Sequence, residues 1–127
     1  MSDLARFETW RSGSTQLLRV TGELDLSNAR ELTSALDLAV PDDVTLVVVD
    51  LTATTYIDSA AIASFFRLAQ RLRDRRQDLR IVVPHGSPIR AVIDLVRLSQ
   101  VIPVEESIPD LPSPMAYAAL PPDGADR

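Results

Sequence analysis

Hydrophobic and polar positions change period several times along this chain, and each change marks an element. Residues 4–10 and 15–22 read as two strands joined at Ser12-Gly13-Ser14, which predicts a hairpin. Gly22 interrupts the second strand and predicts a bulge or a close backbone approach. Ala29, Leu32, Leu36 and Ala39 then recur at helical spacing down to Pro41. Asn28 or Ser27 is the expected N-cap of that helix, over 28–39, with Glu31 three residues after Asn28 in the position of a capping box. The valine-rich run Val44–Val49, ended by Asp50, has the character of a strand buried on both faces of a sheet.

A short polar loop leads to Asp58-Ser59, where a long helical pattern opens. Ile62, Phe65, Phe66, Ala69 and Leu72 form its apolar stripe, and the spacing predicts a helix over 59–75. Leu79–Val83 is a further strand, ended by Pro84. Ser87-Pro88 has the form of an N-cap followed by proline at the first helical position, and Ile89, Val92, Ile93 and Val96 continue a helix over 88–98. Val101–Val104, which contains Pro103, completes the pattern as an edge strand. Strands alternating with helices after residue 24 predict an α/β domain with four or five strands and right-handed crossovers. That domain occupies 1–108. Residues 109–127 hold five of the nine prolines and predict an irregular tail, with at most one helical turn at Met115–Leu120.

Candidate chemistry centres on Ser59. It falls in the first turn of a helix, just beyond the loop leaving a central strand. A helix N-terminus carries unpaired N–H groups and partial positive charge, which favour an anion there. A hydroxyl so placed can accept a phosphoryl group, although a first-turn serine bonding only locally fits the same spacing. Asp58 is the expected N-cap. Ala60, Ala61 and Ala63 fit close helix–sheet packing, yet the stripe leaves at least one alanine facing outward, where a partner backbone can approach.

Other chemistry fares worse. His85 is the sole histidine, in a loop that a parallel sheet places at the same end as Ser59. A Ser59/His85/Asp25 hydrolytic triad lacks the G-x-S-x-G elbow and any sign of an oxyanion hole, so a solvated histidine is the better reading. Arg67, Arg71, Arg73, Arg75, Arg76 and Arg80 form the one charge run, read as a solvated basic face or a contact for an acidic partner. There is no nucleotide cradle and no metal-ligand spacing. A net charge of −5 over 127 residues argues against direct nucleic-acid binding. The chain has no cysteine, no apolar stretch long enough for a membrane span and no signal-peptide pattern, so a soluble domain in a reducing cytoplasm is expected.

Two segments resemble the STAS domain of anti-sigma factor antagonists. Val20-Thr21-Gly22-Glu23-Leu24-Asp25 is similar to that family's V-x-G-E-L-D strand end. Val47-Val48-Val49-Asp50-Leu51, followed by Tyr56-Ile57-Asp58-Ser59-Ala60-Ala61-Ile62, is similar to its D-L-S/T…D-S-S-G-L block. The resemblance covers residues 6 to 106 and implies a mixed sheet with helices mainly on one side. It implies a non-enzymatic regulator without a cofactor, whose partner is an anti-sigma factor that is also a serine kinase of histidine-kinase-like fold. Ser59 becomes the phosphoacceptor, and Asp25, Asp58, Ala60, Ala61 and Ile62 become partner-binding residues. A phosphatase is a further candidate partner, and the chain is expected as a monomer or weak dimer. Ala60-Ala61 departs from the family's Ser-Gly, and Pro109, Pro112 and Pro114 interrupt its final helix. A scaffold or accessory subunit of a transport or stress-signalling complex, without phosphoswitching, is the alternative; a nucleotide-binding STAS domain is a third reading.

Overall fold

A computed structural model describes residues 5–38 and 40–108. Strands β1 (Ala5–Ser12) and β2 (Thr15–Leu24) form the expected hairpin, turning at Gly13 with φ +59°. The first helix, α1 (Ala29–Leu38), leads to β3 (Leu46–Asp50) and then to β4 (Thr54–Ile57). Helix α2 (Ser59–Asp74) and β5 (Asp78–Val82) follow. A short helix, α3 (Arg90–Leu95), a 3-10 turn over Leu98–Gln100 and β6 (Val104–Glu105) complete the described chain. Leu4, Ala39, the side chains of Ala29 and Leu36, and the expected tail from 109 with its turn at Met115–Leu120 lie outside the described residues.

The six strands make one mixed sheet in the order β1-β2-β3-β5-β6, antiparallel at β1/β2 and parallel elsewhere. The ten residues of β2 serve two partners. Thr15–Arg19 pairs with β3, and Gly22–Leu24 pairs with β4. Within the β4 pairing the register shifts between Gly22 and Glu23, and the Gly22 φ of 105° is strained for any L side chain, so the glycine does mark a bulge.

Strand β4 is the strand beyond the expected four or five, in a stretch that reads as polar loop. Thr54 and Ile57 are buried while Thr55 and Tyr56 are exposed, so four residues give no alternation to detect. The signal available was composition, because Thr-Thr-Tyr-Ile is rich in β-formers.

Alternation across the sheet creates two unequal faces. Leu18, Val20, Val47, Val49 and Ile81 share one face, where Phe65 and Leu72 of α2, Ile93 of α3 and Leu98 join the same buried cluster. The other face carries a smaller cluster of Trp10, Leu17, Val48 and Val82, with Leu46 and Ile108 packed against it. The Arg19 guanidinium lies 5.3 Å from the Trp10 ring centroid and 3.4 Å from Asp50.

Three local readings change. The expected 88–98 helix is α-helical only over Arg90–Leu95. Ser87 accepts the Ile89 N–H at 3.2 Å and Arg90 N–H reaches the Ser87 carbonyl at 3.1 Å, so the entry is a tight turn. Arg97 then adopts the left-handed region at φ 57°, ψ 42°, which ends the helix and turns Leu98 into the core. The edge strand expected at 101–104 shrinks to Val104–Glu105, since Pro103 has no N–H to pair; its carbonyl accepts from Ile81 at 3.0 Å. Finally, Asn28 holds the expected N-cap position before Ala29, its carbonyl accepting the Leu32 N–H at 3.0 Å, but its side chain is fully buried and its amide faces back to the strand end. Its Oδ1 accepts Asp25 N–H at 2.9 Å and its Nδ2 donates to the Glu23 carbonyl at 2.7 Å.

Helix α2 closes with a left-handed cap. Gln77 N–H bonds the Leu72 carbonyl at 2.8 Å and Arg76 N–H the Arg73 carbonyl at 3.0 Å, with Arg76 at φ 61°. The buried Gln77 amide then donates to Pro41 and Val44 carbonyls at 2.9 and 2.7 Å, fastening the end of α2 to the chain entering β3. Arg75 pairs with Asp42, and Arg11 with Asp43 at 3.0 Å, on the same loop. The Arg11 hydrogen bond and charge hold the Asp43 carboxyl below the usual carboxylate range.

Candidate functional site

Strand β4 delivers the site. Ile57 anchors its last residue in the core, and the chain leaves the sheet at Asp58 in extended backbone, φ −112°, ψ −178°. That geometry aims the Asp58 carboxylate back over the helix it precedes. Oδ1 accepts the Ala60 and Ala61 N–H groups at 3.0 and 3.1 Å, the expected N-cap. Oδ2 does something the sequence did not announce: it accepts the Leu26 N–H at 2.8 Å. The Asp58 N–H donates to the Leu24 carbonyl at 3.1 Å, extending the β2/β4 pairing by one bond. One residue thus fixes the start of α2 and the loop between β2 and α1.

Ser59 follows as the first helical residue, with an exposed side chain. Its hydroxyl stands beside a carboxylate already engaged by three main-chain donors, on a helix end with partial positive charge. Asp25 lies at the same end of the sheet. Its Oδ1 accepts both the N–H and the hydroxyl of Ser27, a turn that shapes the loop through Leu26.

The residues expected to bind a partner differ in exposure. Ala61 has no exposed surface and Ile62 only 6%, so both face the core and support the helix end from beneath. Ala60 and Ala63 are half-buried, the outward alanines of the pattern. Two further residues were missed. Leu26, whose N–H is bonded to Asp58, is 77% exposed, and Tyr56, two residues before Asp58, is 50% exposed. A leucine isolated in the polar stretch Asp25–Asn28, off any periodic stripe, was the legible signal for the first. Tyr56 was hidden because β4 itself was unseen.

The imagined triad is not assembled. His85 follows β5, which is separated from β2 by β3, and its ring pairs with Glu106. The Glu106 carboxylate also accepts the His85 main-chain N–H at 3.0 Å and pairs with Arg90 at 3.2 Å. His85 is therefore exposed but not without partners. Within the basic run, Arg67 donates to Ser64 at 3.2 Å, Arg73 to Gln70 at 3.4 Å and Arg75 to Asp42. Among the described residues no group of three or more His, Cys, Asp or Glu can hold a metal ion, and no helix is long and apolar enough to cross a membrane.

The profile of the STAS domain family matches residues 6–111. No curated protein matches the chain. Among solved structures, an anti-sigma factor antagonist from Mycobacterium paratuberculosis is similar at 22% identity and TM-score 0.76, over 87% of this chain and 92% of that one. The Bacillus cell fate determinant SpoIIAA, in its phosphorylated form, is similar at 18% identity and TM-score 0.59, over 78% and 90%. A sulfate transporter family protein from Wolinella succinogenes is similar at 11% identity and TM-score 0.63, over 75% and 79%. Identities this low speak for the shared fold alone.

Proposed function

This chain belongs to the STAS domain family, and from that premise we propose that it works as an anti-sigma factor antagonist. It docks through the Ser59 end of α2 on a kinase-type anti-sigma factor of histidine-kinase-like fold, and so frees a sigma factor. Phosphorylation of Ser59 breaks the complex, and a phosphatase restores it. The chain catalyses nothing itself, acts in the cytoplasm as a monomer or weak dimer, and takes no cofactor.

The observation that carries this reading is the exposed Ser59 hydroxyl at the first turn of α2, directly after the Asp58 cap. A phosphoryl group there adds about −1.5 to −2 charge at pH 7. The helix end attracts it, while Asp58 repels it. Both anions compete for the first-turn N–H groups that Asp58 holds at Ala60 and Ala61, so modification weakens the cap and, through Oδ2, the hold on Leu26. The docking surface then changes in charge and in shape together. Asp25, Ala60, Leu26 and Tyr56 frame that surface, with Ala61 and Ile62 as its support.

A second reading, a STAS scaffold in a transport complex, is favoured by the likeness to the Wolinella protein and by Ala60-Ala61 in place of Ser-Gly. There the same surface docks constitutively. Calorimetric titration of a purified anti-sigma kinase separates the two, using wild type, Ser59→Ala, Ser59→Asp and the phosphorylated chain. Ser59→Ala should bind like wild type, and the phosphorylated chain roughly a hundredfold more weakly, about 2.7 kcal/mol. Ser59→Asp falls between, having about half the charge of a phosphate. Equal affinity across all four leaves the scaffold reading.

A further inference from the structure

The sheet ends in two unlike edges. Strand β6 is two residues long and follows Pro103, which has no N–H to offer a further strand. Strand β1 runs eight residues, and among the described residues no strand lies beyond it. Ser12 closes a two-residue turn against Thr15, so Ser12, Trp10, Glu8 and Arg6 turn their main chain toward β2. The Trp10 carbonyl accordingly accepts the Gln16 side-chain amide of β2 at 2.9 Å. Ala5, Phe7, Thr9 and Arg11 then aim their N–H and C=O groups at the open edge, a template for another strand. We propose that this edge pairs with the β1 edge of a second copy of the chain. The two strands run antiparallel about a two-fold axis at Phe7, and Arg6 of each copy faces Glu8 of the other.

Charge sets the register. Arg6 and Glu8 share the sheet face that carries Trp10, with Arg6 exposed and Glu8 half-buried. Within its own chain Glu8 stands opposite Arg19, but the Arg19 guanidinium is turned to Asp50 and the Trp10 ring. Centred on Phe7, the pairing sets Ala5 against Thr9, Arg6 against Glu8 and Phe7 against Phe7. Opposite charges meet twice across the two-fold, and the half-buried phenyl rings meet at the axis on the other face. One step to either side sets Arg6 against Arg6 or Glu8 against Glu8, like charges directly opposite. A further step toward Thr9 sets Glu8 against Trp10 and Phe7 against Arg11, with no unlike pair. The strand is self-complementary in one register, which is what a symmetric dimer requires of its interface.

Sedimentation velocity of the full chain, from about 1 μM to about 1 mM, measures the association. Wild type should pass from monomer to dimer within that span. Arg6→Glu and Glu8→Arg each turn both pairs into like charges and should weaken dimerisation by about tenfold or more. The double variant Arg6→Glu/Glu8→Arg restores both pairs with the signs reversed, and should return to within about threefold of wild type. Mixing the two single variants should yield a heterodimer, because one edge is then acidic and the other basic. That arm reads a gained association, so a misfolded single variant cannot imitate it; circular dichroism checks each fold. In wild type the Phe7 and Thr9 amides should exchange more slowly as concentration rises, since the second copy bonds them. A wild type that stays monomeric at about 1 mM overturns the proposal. So does a dimer whose affinity ignores both swaps, or one that leaves the Phe7 and Thr9 amides unprotected. Neither a kinase nor phosphorylation enters this readout, so the β1 interface and the Ser59 switch stand or fall separately.

Discussion

The carboxylate of Asp58 accepts the main-chain N–H of Leu26 at 2.8 Å, across 32 positions of sequence. The same group caps α2 through Ala60 and Ala61, so a loop and a helix end that are distant in the chain share one anion. That sharing makes the Ser59 region a coupled unit rather than an isolated hydroxyl.

Asp58→Ala should therefore destabilise the fold by more than a lost cap alone. Removing a cap costs about 1 kcal/mol. Leaving the Leu26 N–H without its partner adds about 1 kcal/mol more. Asp58→Ser should recover the cap share only, because its shorter side chain cannot serve both elements. Thermal unfolding of the two variants measures the difference; equal midpoints would mean that the Leu26 bond contributes nothing.

The Leu26 amide should exchange its hydrogen faster when Ser59 is phosphorylated, and to a smaller degree in Ser59→Asp. Competition for the Asp58 cap loosens the bond at Oδ2, and local opening is what exchange reads. Amide exchange followed by NMR tests this, with the Leu32 N–H, bonded to the Asn28 carbonyl at 3.0 Å, as the control that should not change. Unaltered exchange at Leu26 would confine the effect of phosphate to charge.

Leu26→Ser should leave stability within about 0.5 kcal/mol, since its side chain is largely in water, and Tyr56→Ser, half-buried on β4, should cost about 1 kcal/mol. Each should weaken docking on the partner kinase by about 1 kcal/mol or more, the size expected of an apolar anchor. Leu95→Ser, at 81% exposure on α3, should leave affinity unchanged. Three equal affinities would move the docking surface elsewhere.

Arg76→Gly should stabilise the protein by about 1 kcal/mol, because Arg76 holds φ 61° at the cap of α2, where a side chain is strained and glycine is not. Urea unfolding measures it. A loss of stability would show that the Arg76 side chain contributes more than its backbone strain removes.

Much of the architecture was legible because it depends on neighbours in sequence. The hairpin at Ser12–Ser14, the bulge at Gly22 and the Asp58-capped start of α2 follow from backbone preferences and local side-chain bonds, which a few residues settle between themselves. The apolar face of α2 follows from its period, with Ile62, Phe65, Ala69 and Leu72 all buried. Strand β4 escaped because it is four residues long and exists through its pairing with the far half of β2. Asn28 takes the N-cap position that its spacing to Glu31 suggested, but its buried side chain bonds Asp25 and Glu23 at the strand end.

For the site, the amino-acid sequence determined that a serine would stand at a capped helix start beyond a central strand, since Asp58-Ser59 and the stripe behind them act over one turn of helix. Tertiary structure alone decided what surrounds it. Which alanines face water depends on how α2 rolls onto the sheet, and that put Ala61 and Ile62 beneath the surface. Asp58 became a bridge only when the pairing of β2 with β4 brought residues 26 and 58 together. A contact made across 32 residues costs loop-closure entropy that no local pattern records; the packed sheet supplies the free energy for it, and so the bond appears only in the folded chain.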